Sequence, residues 1–145
     1  SPQEAAQSGT PKVEFALHEN RKDFGDITVH VNALTTDQLP AEVAREYKIS
    51  RSKSKAMINV VMTRKNGGLE KPVRGDVKVF AKNLASQLKD VQIREIVEQG
   101  EHEAIYYIGV LSVNNEETIV FDIEATPEGL NDPFSMSYKQ QFFTQ

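Results

Sequence analysis

The residues best suited to chemistry lie in one segment, Phe24 to Leu34, which contains Asp26, His30 and Asn32. A histidine within about 3 Å of a carboxylate could act as one half of a general acid–base pair. In a strand, however, residues 26 and 30 lie on one face about 13 Å apart, which is too far for a hydrogen-bonded pair. Thr28, His30 and Asn32 share that face. They are therefore predicted to form the solvated side of a half-buried strand, with a small polar binding patch as the alternative.

Other kinds of catalytic or cofactor site have little support in the composition. The chain contains no cysteine, which excludes thiol nucleophiles, disulfides, zinc–cysteine sites and iron–sulfur clusters. Its histidines, His18, His30 and His102, are isolated from one another and show no metal-ligand spacing. Asn66-Gly67-Gly68 is typical of a turn, because neither the lysine nor the helix of a nucleotide-binding loop follows it. We therefore predict no metal site, no cofactor and no catalytic residue.

One enzyme hypothesis stays open beside that prediction. A hydrolase or metal-assisted enzyme could use His30 and Asn32 if the fold brought Asp26 and Arg51 close to them. Such a site needs a concave pocket that holds the imidazole beside a carboxylate. The non-enzymatic interpretation is preferred, since these residues do not converge in the sequence.

The sharpest charge pattern is Arg51-Ser52-Lys53-Ser54-Lys55, in which three cations alternate with two serines. If this segment is extended, its cations lie along one edge and could bind an anion or an acidic protein surface. The alternative is a solvated strand entry, or a charged edge that prevents aggregation between sheets. Across both segments, the predicted binding residues are Asp26, His30, Asn32, Arg51, Ser52, Lys53 and Lys55.

The elements that must position these residues are mostly strands. Apolar residues alternate with polar ones along most of the chain, as in Ile27, Val29 and Val31. About eight such segments, at a spacing close to 8–12 residues, predict an all-β, immunoglobulin-like antiparallel β-sandwich. A small barrel is the alternative. The first of these strands is predicted around residues 13–17.

Two helical segments are predicted between the strands. Thr36 to Ile49 is expected to be a helix with Pro40 at its first position, where the missing N–H has no partner to lose. Leu39, Val43 and Tyr47 would form its apolar stripe. The segment Asn83 to Asp90 is expected to hold one short helical turn, with Asn83 as its cap.

The length and the net charge of the chain limit the number of domains and the kinds of partner that are expected. The 145 residues are expected to form a flexible leader over residues 1–11 and a single domain over residues 12–145. The net charge of −4, from 17 basic and 21 acidic residues, argues against nucleic-acid binding. No apolar run approaches the roughly 20 residues of a membrane span. The chain starts at Ser1 rather than Met, which indicates a processed or trimmed product.

An ordered series of segments resembles a family of small proteins from Gram-negative bacteria, catalogued as domain of unknown function 4426. The resemblance runs roughly from Phe15 to Phe143. It implies an exported, periplasmic protein whose signal peptide has been removed, and it implies no activity. The segments that carry it are Phe24-Gly25-Asp26, His30-Val31-Asn32-Ala33, Val43 to Ile49, Arg51-Ser52, Ala104 to Tyr107 and Glu117 to Asp122. The pattern residues, whose role in the family is unknown, are Gly25, Asp26, His30, Asn32, Arg51, Ser52 and Asn59.

These observations favour a non-enzymatic module of the bacterial envelope. Its expected partner is another envelope protein or an anionic envelope component, bound through the basic segment Arg51 to Lys55. A structural role in assembly, through pairing of an edge strand with another chain, is the remaining alternative.

Overall fold

A computed structural model describes residues 20–145, which form two antiparallel sheets packed against each other. The larger sheet has the strand order β1-β2-β3-β8-β7, with β4 beside β3, and the smaller has the order β10-β9-β5-β6. The strands are β1 Asn20–Phe24, β2 Ile27–Thr35, β3 Lys55–Asn66, β4 Leu69–Pro72, β5 Gly75–Asn83, β6 Leu88–Lys89, β7 Arg94–Glu98, β8 Ala104–Ser112, β9 Glu117–Pro127 and β10 Phe134–Phe142.

The predicted all-β sandwich is confirmed. The described residues hold ten strands rather than about eight, because short segments such as β4 and β6 pair with longer neighbours. The predicted leader, the strand expected around residues 13–17 and His18 lie outside the described residues.

The core lies between the two sheets and is built by alternate residues of their central strands. Val31 of β2, Val60 of β3 and Phe121 of β9 are each fully buried in one continuous apolar cluster. The Phe121 ring lies 6.3 Å from the Tyr138 ring and 6.4 Å from the Phe142 ring, centroid to centroid. Since this interior is filled by apolar side chains, polar chemistry is confined to the outer faces and the ends of the strands.

The predicted helix over Thr36 to Ile49 is wrong in its bounds. A 3₁₀ turn, Thr36–Gln38, and an α-helix, α1 Ala41–Glu46, are separated by Leu39 and Pro40. Leu39 is extended, with φ −72° and ψ 139°, because the residue before a proline is disfavoured in the helical region. Pro40 therefore precedes the helix instead of opening it.

The helix ends early because Lys48 adopts the left-handed conformation, with φ 58°. This turn allows the Ile49 N–H to donate to the Ala44 carbonyl at 2.8 Å, closing the last turn of α1. The chain then leaves the helix toward β3. Lys48 consequently projects at the junction between the helix and the sheet.

The apolar stripe predicted for this helix is present, although the helix is short. Leu39, Val43 and Tyr47 are buried against Met57 of β3 and Ile108 of β8, on the outer face of the larger sheet. A helix of six residues has little stability alone. Its packing on the sheet therefore holds it in place.

The helical turn predicted over Asn83 to Asp90 is also wrong, since this segment is the turn between β5 and β6. Asn83 still acts as a local cap, because its Oδ1 accepts from the N–H of Ala85 at 3.0 Å and of Gln87 at 2.9 Å. Leu84 and Leu88 are 70% and 84% exposed. They therefore do not form the apolar side of a helix.

Candidate functional site

The polar face of β2 is less solvated than the sequence predicts. Thr28 and Asn32 are 2% and 4% exposed, and only His30 between them is half-buried. The prediction of a solvated face is therefore wrong for two of its three residues. The alternation correctly placed them on the face opposite the core, but it could not show that this outer face is itself partly covered.

Hydrogen bonds between neighbouring strands connect the polar side chains around His30. Thr28 donates to Asp23 Oδ1 at 2.7 Å, and this bond is the main reason that the pKa of Asp23 lies below its usual value. The His30 Nε2 atom lies 2.9 Å from the Thr63 hydroxyl, which in turn donates to Glu70 Oε1 at 3.3 Å. These pairs stabilise the edge of the larger sheet.

Asn32 faces a second asparagine directly across the β2–β3 ladder. The Asn59 Nδ2 atom donates to Asn32 Oδ1 at 3.3 Å, and both side chains are nearly fully buried. Within residues 20–145, Asn59 Oδ1 has no hydrogen-bond partner. The pair lies on the same face as Met57, and Asn59 is opposite the apolar Ile108 of β8.

The fold does not bring together the residues of the enzyme hypothesis. Asp26 lies in the turn before β2, where it forms an exposed ion pair with Arg64 at 3.4 Å. Arg51 lies near the other end of β2, and its guanidinium donates to the Asp37 carbonyl at 2.8 Å. Since β2 is nine residues long, its two ends are about 30 Å apart. His30 is in its middle, separated from both groups.

The basic segment Arg51 to Lys55 is not extended, so the predicted row of cations is wrong. Residues 53 and 54 form a turn, in which the Lys55 N–H points to the Ser52 carbonyl at 3.5 Å. Ser52 is held from the other side, because its N–H donates to the Thr36 hydroxyl at 2.8 Å. Arg51 and Lys55 bond to different parts of the chain, the Asp37 carbonyl and the Ser112 hydroxyl, and the Lys53 side chain makes no hydrogen bond or ion pair within the described residues.

A groove of about 450 Å³ lies between the end of α1, the start of β3 and the segment before β7. Its charged lining residues are Lys48, Lys55 and Arg94, all exposed, and no carboxylate lines it within residues 20–145. We call it the basic groove. The residues that line it are Lys48, Ile49, Ser50, Lys55, Gln92, Ile93, Arg94, Ile108, Gly109 and Val110.

Each cation of the basic groove is placed by a different element. Lys48 is the left-handed residue that ends α1. Lys55 begins β3, and its Nζ donates to the Ser112 hydroxyl at 2.8 Å. Arg94 begins β7 and donates from its guanidinium to the Tyr47 carbonyl. Two of the three side chains are thus oriented by neutral acceptors, which leave their positive charge uncompensated.

Gly109 allows one wall of the basic groove to form. A β-carbon at this position would lie 2.4 Å from Val91 Cγ1, 2.9 Å from Ile93 Cδ1 and 3.2 Å from the Gln92 carbonyl. These distances are shorter than van der Waals contact. The segment over residues 91–93 therefore packs closely against β8, and a side chain at position 109 would displace Val91 and Ile93.

Two tyrosines and a glutamate join the helix to β7 beside the basic groove. The Tyr47 hydroxyl donates to Glu98 Oε1 at 2.5 Å, and Tyr106 also hydrogen-bonds Glu98. Burial, followed by the bond to Glu98, raises the pKa of Tyr47 well above its usual value. Burial and the charge of Glu98 raise the pKa of Tyr106 to about 12. Both hydroxyls therefore stay neutral in the folded protein.

Tyr47→Phe is expected to lower the free energy of unfolding by about 1 kcal/mol at pH 7, because Glu98 loses a buried donor. The pKa of Tyr47 is raised on folding, so its contribution is complete below the usual tyrosine pKa of 10.0 and declines as the pH rises above it. Urea unfolding from about pH 7 to pH 11 should therefore show the gap between the two proteins narrowing above about pH 10. A gap that widens there would contradict this account.

A second groove, of about 570 Å³, lies between β2 and β10 near the exposed ring of Phe143. Its single charged lining residue within the described residues is Lys139. Gln140 crosses it and donates to the Ala33 carbonyl at 3.2 Å. This groove offers amide and aromatic contacts but little charge. It is therefore a weaker candidate for a ligand-binding site than the basic groove.

Sequence reasoning found only one of the three groove cations. Lys55 was part of the predicted basic segment, whereas Lys48 fell inside the predicted helix and Arg94 stands in a separate part of the chain. The convergence depends on the early end of α1 and on the pairing of β7 with β8. No local sequence pattern predicts the early end of α1 or the pairing of β7 with β8.

The described residues also bear on metal and membrane sites. Among residues 20–145, no three histidine or acidic side chains are grouped closely enough to hold a metal ion. None of the helices in this part of the chain has the length and apolar character that a bilayer span requires.

Comparisons with known proteins identify a family and a similar solved structure. A family model described as "Domain of unknown function (DUF4426)" matches residues 21–145. A crystal structure of a DUF4426 family protein from Pseudomonas aeruginosa PAO1 has 30% sequence identity and a TM-score of 0.75 to this chain. That match covers 90% of this chain and 99% of the other. No curated protein matches the chain significantly.

Proposed function

Because the chain belongs to the DUF4426 family, whose name assigns no activity, we propose a function from its surface: it is a non-enzymatic module that binds an anionic ligand in the basic groove. Family membership confirms the resemblance noted in the sequence. The exported, periplasmic location and an assembly role through edge strands stay predictions.

The observation that carries this proposal is the meeting of three cations without a carboxylate. The whole chain has a net charge of −4, so a local excess of positive charge runs against its composition. The Lys48 side chain makes no hydrogen bond or ion pair within residues 20–145, and neither Lys55 nor Arg94 forms an ion pair there. Positive charges that line one groove repel one another, although solvent screening weakens the effect between Lys55 and Arg94, which lie at opposite ends of it. A bound anion would relieve that repulsion and form charge-assisted hydrogen bonds.

The basic groove also suits a ligand in size. Sites for small ligands commonly measure about 300–1,000 Å³ and combine apolar walls with a few polar groups. The groove, at about 450 Å³, lies in that range and has both kinds of lining. By contrast, the enzyme hypothesis gains no support from His30, whose neighbouring hydroxyl on Thr63 is already shared with Glu70.

The proposal is tested by titrating the protein with the fluorescent aryl sulfonate 8-anilinonaphthalene-1-sulfonate. We expect binding that weakens as salt is raised. The variant Lys48→Asn with Lys55→Gln should lose affinity about tenfold, equivalent to about 1.4 kcal/mol. Asparagine is chosen at position 48 because it tolerates the left-handed backbone found there. Resonances of the groove residues should shift during the titration.

The matched control removes two cations outside the basic groove. Lys53→Gln with Lys82→Gln changes the net charge equally, and both residues are exposed and absent from the groove lining. This control should bind as the natural sequence does. Equal affinity in the Lys48/Lys55 variant would overturn the proposal, and selective weakening in the control would move the site to the turn at Lys53.

A further inference from the structure

We infer that the ligand of the basic groove is a small amphiphilic anion, with one acidic head group and an apolar body. This inference rests on the proposed function and adds the ligand's chemical class. The head group lies between Lys48 and Arg94, at the end of the groove beside Ile108, and the apolar body lies over Val110.

Two of the three cations converge at one end of the basic groove. Lys48 directly follows Tyr47 in the chain, and the Arg94 guanidinium donates to the Tyr47 carbonyl. A guanidinium has five N–H donors in a planar fork that matches a carboxylate or sulfonate. Arg94 forms no ion pair with any residue in the described range, so donors remain for a ligand. This end is therefore suited to an acidic head group.

The surface beyond that end is apolar. In the sheet, Arg94 lies opposite Ile108, and Lys55 lies opposite Ser112. Ile108 and Ser112 are about 13 Å apart along β8, and Val110 lies between them on the same face. A compact polyanion that spanned the two ends would place charge over this valine. An alkyl or aryl body would instead bury apolar surface there.

The inference is tested with n-alkyl carboxylates from butanoate to decanoate, below their micelle concentrations, and with pyrophosphate as the charged probe that lacks an apolar body. Dissociation constants come from calorimetric titration or from chemical shifts. Affinity should rise about fourfold for each added methylene until the groove is filled. Pyrophosphate should bind more weakly than decanoate.

Two variants separate the head group from the body. Arg94→Gln should weaken every carboxylate by a similar factor, about tenfold, and leave the gain per methylene unchanged. Val110→Thr keeps the side-chain shape, so it should reduce the gain per methylene and leave butanoate binding nearly unaltered. Lys82→Gln, on the other sheet, should change neither quantity.

The outcomes distinguish this inference from the proposed function. A series without chain-length dependence, or tighter binding of pyrophosphate or of a tetraglutamate peptide than of decanoate, would overturn the amphiphile and leave an anion-binding groove. Carboxylate binding that Lys48→Asn with Lys55→Gln does not weaken would overturn both.

Discussion

Gly75→Ala is expected to lower the free energy of unfolding by about 3 kcal/mol, at the upper end of the usual cost of overpacking. A β-carbon at this position would lie 2.1 Å from the Thr126 carbonyl oxygen, 2.9 Å from Met62 Cε and 2.9 Å from Pro127 Cα. Met62 could move its flexible end, but the other two atoms belong to the backbone of β9. The added methyl group must therefore separate β5 from β9.

Separating these strands would break a second contact. The Gly75 N–H donates to the Tyr107 hydroxyl at 3.0 Å, and that hydroxyl donates to Glu95 Oε2 at 2.7 Å. This chain of bonds joins the start of β5 in the smaller sheet to β8 and β7 in the larger one. A shift at Gly75 thus weakens the contact between the sheets as well as the pairing within one of them.

Urea unfolding followed by far-UV circular dichroism measures the effect. Asp76→Ala is the control, since Asp76 is the next residue and its exposed side chain makes only a weak ion pair with Lys78 at 4.0 Å. The control should stay within about 0.5 kcal/mol of the natural sequence. If Gly75→Ala were as stable as the control, the backbone of β9 would accommodate the added methyl group without loss of stability, which would contradict the prediction.

The sequence predicts the sheets well because strand alternation is a local property. Val29 and Val31 were placed on the core face by period two alone, and both are buried there. Residues 56–60 of β3 are buried on both faces of the sheet, and their apolar types continue without a break except at Asn59. The role of Gly75 could not be predicted in this way, because its lack of space arises from β9, a strand far along the chain.

The helix shows why element bounds were less accurate than element types. The apolar stripe of Leu39, Val43 and Tyr47 was identified correctly, and the cluster that it forms is buried. The ends of α1 depended on Pro40, which excludes Leu39 from the helix, and on the left-handed Lys48. Lysine carries no turn signal of its own, so the early end was missed.

The predicted binding residues separate into those held by the sheet and those that face solvent. Asn32 and His30 are engaged by partners on β3, and Arg51 and Ser52 are engaged by the 3₁₀ turn. Lys55 alone reaches the basic groove. Its cations converge through the tertiary packing of α1, β3 and β7, which one-dimensional spacing does not encode.

The cations proposed to bind the ligand are different residues from those that hold the sandwich together. Lys48, Lys55 and Arg94 are exposed, and none of them belongs to the apolar cluster between the sheets. Charge-removing substitutions at Lys48, Lys55 and Arg94 should consequently leave the sandwich intact. Loss of binding in such variants can then be attributed to the ligand contacts.

Glu117 is a nearly buried carboxylate whose charge contributes to stability. Its Oε1 atom accepts from Lys89 Nζ and from the Asn114 N–H, both at 2.9 Å. Its Oε2 atom accepts from Asn83 Nδ2 at 2.9 Å. The side chains of Lys89 and Glu117 are only 17% and 10% exposed. One carboxylate therefore ties together β6, the turn that Asn83 caps, and the turn before β9.

Glu117→Ala is expected to lower the free energy of unfolding by about 3 kcal/mol at pH 7, because a buried lysine and two further donors lose their acceptor. Asp122→Ala removes an exposed carboxylate from the same strand. This control should change the free energy of unfolding by less than about 0.5 kcal/mol. Urea unfolding of the natural sequence, Glu117→Ala and Asp122→Ala measures both changes in the free energy of unfolding.

The contribution of Glu117 to the free energy of unfolding is expected to depend on pH in the acid range. Burial raises the pKa of Glu117, but the bonds from Lys89, Asn83 and the Asn114 N–H outweigh it, so the pKa lies below its usual value of 4.5. A depressed pKa contributes stability above the unfolded value and loses it as the pH falls through the folded one. The gap between the natural sequence and Glu117→Ala should thus be constant from about pH 7 to pH 5 and shrink below about pH 4.5. A gap unchanged at about pH 3 would mean that the packing of the side chain, rather than its charge, holds the two turns together.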